Sequence, residues 1–178
     1  LRSGEEYELL GKDWKRRGKL LDESLDTMLQ AWTGEPFEYQ GRTVQVLPKP
    51  VSDPHPMIFV GGSGSKAAER AARYGLHFFP SVSDRTLAEH YVAECKRLGK
   101  KPGIVAVPEG PGSVFVSEDP DTTWREIGDH LLHDAVTYHE WQAEGSTSHV
   151  HSHASTVDEL RAERTYQVLT PDECVALA

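Results

Sequence analysis

A glycine-rich turn between two regular segments is the feature that most constrains the fold of this chain. Residues 57–75 read MIFVGGSGSKAAERAARYG, so the apolar run Met57–Val60 leads directly into glycines and serines, which are followed by an alanine-rich helical pattern. A strand, a tight loop and a helix N-terminus in this order make an anion-binding site, because backbone N–H groups and the positive end of the helix dipole converge there. The sequence therefore predicts that this turn holds an anionic group.

Alternation of short apolar strands with helices predicts the fold class. We predict a helix over residues 5–33, a hairpin over 37–46, a strand and helix over 57–75, and further βα units over 77–178. In the last region the strands are predicted at 77–80, 104–107 and 113–116, and the helices at 84–98, 121–143 and 156–162, with a final helix from Thr170. This order is typical of an α/β protein with a parallel sheet, here a single domain over residues 1–178.

Composition and charge limit the partners. The net charge of −9 over 178 residues argues against a nucleic-acid surface, which needs clustered lysines and arginines. No apolar run reaches the roughly 18 residues of a membrane-spanning helix, so we expect no membrane segment. The two cysteines, Cys95 and Cys174, show no metal-binding spacing and are expected to be free thiols. The sequence thus predicts a cytoplasmic protein with a small-molecule substrate.

Two other interpretations of the glycine turn are open. Residues 62–67, GSGSKA, satisfy the dinucleotide fingerprint G-x-G-x-x-A, and Asp84 lies near the distance expected for a ribose-binding acid. A Rossmann NAD-dependent oxidoreductase is therefore one alternative, although Asp84 follows the second strand as a helix cap would. The other is a tight turn that binds nothing, since a glycine-rich loop alone is weak evidence.

The histidines form the second pattern. His149, His151 and His153 alternate in the polar segment GSTSHVHSHAS, which contains no carboxylate or cysteine partner and only Val150 as an apolar anchor. We expect residues 145–155 to be mobile and to hold no physiological metal. Polar packing, with substrate contact as the lesser alternative, is expected for three further histidines, in the predicted long helix: His130, His133 and His139.

A series of short motifs follows in a specific order along residues 14–75. R-G-x-x-x-D-E and W-T-G come first, then F-x-Y-x-G, a P-x-P connector, V-G-G-S and A-A-R-Y-G. This order resembles the middle of the bacterial luciferase-like monooxygenases. The later segments PGSVFVSEDPDTTWREIGDHLLHDA and YQVLTPDECVALA are similar to the actinobacterial branch of the family. The resemblance covers nearly the whole chain.

The resemblance implies a fold and a cofactor. Members of the family are flavin- or deazaflavin-dependent oxidoreductases on a (β/α)8 TIM barrel, of which this chain would be roughly the C-terminal half, incomplete at both ends. The positions that match the phosphate loop of FMN or a deazaflavin coenzyme are Gly61, Gly62, Ser63, Gly64 and Ser65. No catalytic residue is assigned, because the family's redox-face residues would precede Leu1.

An incomplete barrel carries an expectation about assembly. Apolar strands such as IFV and VFV would keep unpaired edges and a bare inner face, so we expect a homodimer or a higher oligomer. The fragment alone is expected to be inactive. A non-catalytic binding module on the same scaffold is the alternative from another functional class.

Overall fold

The structure is a computed structural model that describes residues 3–142 and 147–178 and divides into two compact units, residues 3–59 and 60–178. The described helices are α1 (Ser3–Leu9), α2 (Arg17–Trp32), α3 (Ser65–Tyr74), α4 (Arg85–Arg97), α5 (Pro120–Trp141), α6 (Val157–Glu163) and α7 (Pro171–Leu177). The described strands are β1 (Phe37–Tyr39), β2 (Arg42–Val44), β3 (Phe59–Gly62), β4 (His77–Pro80), β5 (Ser113–Val116) and β6 (Tyr166–Leu169). Of the helices in these ranges, none combines the length and apolar character that crossing a membrane requires.

The first unit begins with a broken helix. The prediction of one helix over residues 5–33 is wrong, because α1 and α2 are separated at Gly11, which has a left-handed backbone with φ of 63°. A single 3-10 turn, Trp14–Arg16, follows, and the side chain of Asp13 caps it by accepting from the Lys15 N–H at 2.9 Å. Glycine and aspartate thus stop the first helix and start the second.

The predicted hairpin is confirmed, with shorter arms. Strands β1 and β2 pair antiparallel, with Phe37 opposite Val44 and Tyr39 opposite Arg42. Both central residues of the turn have positive φ, 51° at Gln40 and 74° at Gly41. A two-residue hairpin with positive φ at both positions matches the twist of the strands it joins, and glycine adopts that backbone without strain.

The second unit begins within β3, at Val60, and continues with α3 and β4. Strand β4 spans the predicted residues 77–80, whereas β3 begins two residues later than predicted and includes both Gly61 and Gly62. The last residue of β3 pairs with the residue directly after β4, since the Ser81 N–H donates to the carbonyl oxygen of Gly62 at 3.0 Å. The carboxyl ends of the two strands therefore lie side by side.

Helix α3 packs closely because its inner face is built of alanines. Ala68, Ala71 and Ala72 are fully buried, and α4 packs against this helix. The C-terminus of α3 is closed by Gly75, whose φ of 71° lets the N–H groups of Gly75 and Leu76 return to carbonyl oxygens of the last turn. This fixes the entry into β4.

Helix α4 is capped as predicted, but the strand predicted after it is reduced. Asp84 caps the helix, and residues 104–107 form only a parallel bridge between Val105 and Phe78. Two hydrogen bonds hold this bridge: Phe78 N–H to the Ile104 carbonyl and Ala106 N–H to the Phe78 carbonyl, both at 3.0 Å. The prolines at 102 and 108 leave little room for a longer ladder, because proline has no N–H to donate.

The last part of the chain contains a strand that the sequence analysis did not predict. Strand β6 pairs in parallel with β5, Ser113 opposite Tyr166 and Val116 opposite Leu169. A core of buried side chains lies between this pair and helices α5 and α6. It comprises Trp124, Leu131, Ala135, Ala154, Leu160, Tyr166 and Val168.

The mixed α/β class is confirmed. Within the described ranges the strands form three two-stranded sheets, and the (β/α)8 barrel stays an expectation from the resemblance. The predicted end of the long helix at Ala143 lies outside the described residues, as do Gly145 and Ser146 of the predicted histidine loop.

Candidate functional site

The predicted cofactor loop, residues 61–65, runs from the end of β3 into the first residue of α3. Gly64 is the N-cap residue, with an extended backbone (φ −133°, ψ 162°) and no side chain to cap the helix. Its carbonyl oxygen accepts from the Ala67 N–H at 3.0 Å. Ser63 is half-buried, whereas Gly64 and Ser65 are exposed, so the helix start is open to solvent. Lys66 follows as an exposed cation. Uncapped N–H groups, serine hydroxyls and an ammonium group are donors suited to an anion.

Gly62 and Gly64 differ in the space that surrounds them. A Cβ atom on Gly62 would lie 2.5 Å from the Cβ of Ala67, so this glycine lets the start of α3 pack onto the end of β3. A Cβ on Gly64 would have no neighbour within 4 Å. Packing and a φ of 156° therefore both explain Gly62, while the open space at Gly64 is where a ligand could approach the backbone.

A cavity of about 410 Å³ adjoins the loop through Ser81, the residue hydrogen-bonded to Gly62. Its walls come from the end of β4, the segment before β5, helix α5 and the histidine segment. The lining residues are Phe79, Ser81, Pro108, Glu109, Pro111, Gly112, Tyr138, Ser148, His149 and Val150. A cavity of this size at the carboxyl end of a strand suits a small-molecule ligand.

His149 closes one side of this cavity. Its backbone N–H donates to the Ser81 carbonyl at 2.5 Å, and its ring nitrogens lie 2.7 Å from the Ser83 hydroxyl and 2.7 Å from the Gly110 carbonyl oxygen. A carbonyl can only accept, so Nε2 carries a proton and donates to Gly110. Because both ring nitrogens are engaged, His149 holds three loops together at the mouth of the cavity.

The cavity residues were not predicted from the sequence. Phe79 follows the buried Phe78 and points to the other face of β4 by strand alternation, a signal present in HFFP. Tyr138 and His149 come from elements that meet only in the folded chain, so the sequence carried no signal that pairs them.

The remaining predicted histidines divide into two groups. His130 and His133 are exposed on α5, as expected for polar surface packing. His139, near the end of the same helix, instead lies beside His151 and His153, and one possible ligand atom of each falls within 4.8 Å of the others. The structure thus brings together two alternating histidines and a third from a helix.

Asp84 is engaged in capping α4. Its carboxylate accepts from the Thr86 N–H at 2.8 Å and from the Thr86 hydroxyl at 2.7 Å, and these hydrogen bonds lower the pKa of Asp84 below its usual value. The residue that the Rossmann alternative requires for a ribose therefore has a structural role at a helix N-terminus.

A strand that ends in glycines, followed by a helix N-terminus without a side-chain cap, lies beside a ligand-sized cavity in this α/β protein. The family model for luciferase-like monooxygenases matches residues 2–176. The chain belongs to the luciferase-like monooxygenase family, as its motif order predicted.

The matching relatives are three mycobacterial proteins. The chain is 33% identical over 103 residues to an uncharacterized protein of Mycobacterium bovis and to uncharacterized proteins of two Mycobacterium tuberculosis strains. Each match covers 56% of this chain and 35% of the relative. The matched region thus spans about a third of the length of these relatives.

Proposed function

We propose that the protein is a flavin- or deazaflavin-dependent oxidoreductase, and that residues 61–65 bind the phosphate of FMN or of a deazaflavin coenzyme. The observation that carries this proposal is the uncapped start of α3 directly after the glycines of β3, in a chain of the luciferase-like family. Such a helix start offers N–H donors and a positive dipole to a phosphate.

The residues present fit a phosphate. None of the residues 61–65 is acidic, Lys66 adds an exposed positive charge, and the space around Gly64 is open to a group larger than a methyl. The Ser63 and Ser65 hydroxyls add donors that glycine cannot supply. Hydrogen bonds from such donors to a charged oxygen are about twice as strong as neutral ones.

When bound, a reduced flavin or deazaflavin would supply hydride or electrons to the substrate or to oxygen. The chain's own residues would have three tasks. Residues 61–65 would fix the phosphate end, the cavity beside Ser81 would take the substrate, and His149 would hold the loops that shield this cavity from water. The Tyr138, Ser81 and Ser148 hydroxyls are among the polar groups that line the cavity and would orient a substrate there.

The test uses a substitution that has opposite effects on folding and on binding. Gly64→Asp places a carboxylate at the N-cap, where aspartate stabilises helices relative to glycine. The same carboxylate would occupy the N–H groups and repel a phosphate. We expect affinity for FMN or the deazaflavin coenzyme to fall by roughly 10- to 150-fold, corresponding to about 1.5–3 kcal/mol, with unchanged or higher thermal stability.

Gly64→Ala is the matched control, because its methyl group meets no neighbour and adds no charge. Fluorescence titrations of both coenzymes into the protein and its variants would give the affinities. Unchanged affinity in Gly64→Asp would overturn the phosphate assignment. Absence of binding of either coenzyme to the unmodified protein would overturn the oxidoreductase proposal and favour a non-catalytic binding module.

A further inference from the structure

Three histidines converge outside the cavity and the cofactor loop. His139 comes from the last turn of α5, and His151 and His153 from the segment that precedes α6. Their ring centroids are 4.8 Å (His139–His151), 5.2 Å (His139–His153) and 4.6 Å (His151–His153) apart. His139 Nδ1 lies 2.6 Å from His151 Nε2. The three imidazoles therefore face one small volume from two separate elements.

The segment that carries His151 and His153 is anchored by the burial of every second residue. Ser152 and Ala154 are buried, with 3% and 7% of their surface exposed, whereas His151 is half-buried and His153 is exposed. Period-two alternation of this kind places the two histidines on one side and the two buried residues on the other. Ala154 belongs to the core, so the expectation that Val150 is the sole apolar anchor is wrong.

Glu163 holds the same segment through two hydrogen bonds. Its carboxylate accepts from the Ser152 hydroxyl at 2.5 Å and from the His153 N–H at 3.3 Å. Both bonds lie beside the imidazoles, so the glutamate also brings a negative charge near them.

We propose that His139, His151 and His153 form a three-histidine site for a divalent cation of the zinc type, with one position left open. Three imidazoles and one open position are a common zinc ligand set. Zinc–nitrogen bonds of about 2.0–2.1 Å in tetrahedral geometry place the nitrogens about 3.3 Å apart. To reach this spacing, the nitrogens of His139 and His151 would move slightly apart and that of His153 would move closer. The Glu163 charge supports the cation from the outer shell.

The site revises the expectation of a metal-free loop for a specific reason. That expectation considered only the alternating histidines, which lacked a third ligand in their own segment. Helix α5 supplies it, twelve residues before His151. A bound cation would tie the end of α5 to the segment that also carries His149, and so stabilise a wall of the cavity. The proposal stands on these three rings alone and does not depend on the coenzyme.

The experiment titrates zinc into the protein after its metals have been removed with a chelator. Calorimetry is expected to give one equivalent bound, and zinc is expected to remain after dialysis against a mild chelator. Each of His139→Ala, His151→Ala and His153→Ala is expected to weaken binding by more than about 100-fold, since outer-shell partners alone are worth about 10- to 100-fold. Zinc should raise the melting temperature of the unmodified protein but not that of these three variants.

His133→Ala is the matched control, since His133 is also exposed on α5 but lies outside the cluster. It should bind zinc like the unmodified protein. A His139→Ala variant that keeps full affinity would show that the loop histidines bind zinc adventitiously, and would overturn the site. Loss of the metal in the mild chelator would overturn it as well. Cobalt substitution gives a second readout, because a four-coordinate site produces intense visible absorption and a hexa-aqua ion does not.

Discussion

The hydroxyl of Tyr91 donates a hydrogen bond to the carbonyl oxygen of Leu76 at 2.8 Å and so ties helix α4 to the residue before strand β4. The hydroxyl oxygen of Tyr91 in turn accepts from the Gly103 N–H, also at 2.8 Å. Tyr91 is fully buried and stacks on Phe78 with the ring centroids 5.6 Å apart. One side chain thus satisfies the backbone on both sides of α4.

Tyr91→Phe should therefore destabilise the protein while keeping the packing of the ring. The substitution leaves a buried carbonyl and a part-buried N–H without their partner, which costs about 1–3 kcal/mol. Urea denaturation should show a lower free energy of unfolding with an unchanged slope. Tyr39→Phe is the control, because Tyr39 is exposed and should change stability by less than about 0.5 kcal/mol. Equal stability of the two variants would contradict the role given to Tyr91.

Gly62→Ala and Gly64→Ala should separate packing from ligand approach in the glycine loop. The first adds a methyl group 2.5 Å from the Cβ of Ala67 and should cost about 1–3 kcal/mol, as overpacking does. The second meets no neighbour and should leave the stability within about 0.5 kcal/mol. Thermal or urea unfolding measures both, and similar stabilities would show that neither the contact with Ala67 nor the φ of 156° requires glycine at position 62.

Thr156→Ala should weaken the start of α6. The threonine hydroxyl accepts from the Glu159 N–H at 3.2 Å, and the helix places Leu160 in the core. Loss of an N-cap of this kind costs about 0.5–2 kcal/mol. Thr156→Ser keeps the hydroxyl and should behave like the unmodified protein in denaturation experiments, so a destabilised serine variant would point to the lost methyl group instead.

Tyr166 should make stability fall at alkaline pH. Burial and the neighbouring Asp134, which accepts from the Tyr166 hydroxyl at 2.5 Å, raise the pKa of Tyr166 above its usual value of 10.0. The folded protein then holds this proton at pH values where the unfolded chain releases it. The contribution of Tyr166 to the free energy of unfolding is therefore complete below pH 10 and is lost as the pH rises above 10. The free energy of unfolding should decline less steeply above pH 10 in Tyr166→Phe, and identical slopes would contradict this.

The chain should self-associate through apolar side chains that the second unit leaves exposed. Phe79 is 44% exposed, and along β5 the exposed fractions of Val114 and Val116 are 41% and 62%. Apolar strands with open surfaces tend to pair with other chains. Light scattering should show dimers or larger species, and Val116→Lys should shift the distribution toward monomer. A monomeric unmodified chain at micromolar concentration would refute the expected oligomer.

Several elements could be predicted because their signals are local. Strand β4 was predicted at its observed bounds, since HFFP is a short apolar run between a glycine turn and a polar segment. The helix starts at Asp84 and Thr170 follow from one side chain and the N–H groups just after it. Where structure depends on a few neighbouring residues, the pattern was sufficient.

The structure differs from the prediction mainly where contacts between residues far apart in the sequence determine the local structure. Strand β6 was missed because YQVL is short and becomes a strand through its pairing with β5, more than fifty positions earlier. The helix predicted over residues 5–33 is interrupted at Gly11, because apolar periodicity does not reveal a break caused by one glycine. The histidine cluster required the end of α5 to meet residue 151, which no spacing rule in one sequence indicates.

The contact of His149 with Ser81 and Ser83 also bears on how the chain reaches its folded state. The Ser83 hydroxyl and the His149 ring are separated by 66 residues, so this wall of the cavity closes a long loop of chain. Helices α3, α4 and α5 need only local hydrogen bonds, whereas closing a long loop costs entropy before any contact compensates for it. We therefore expect the cavity to be among the last parts of the second unit to form, and among the first to open when the protein is destabilised.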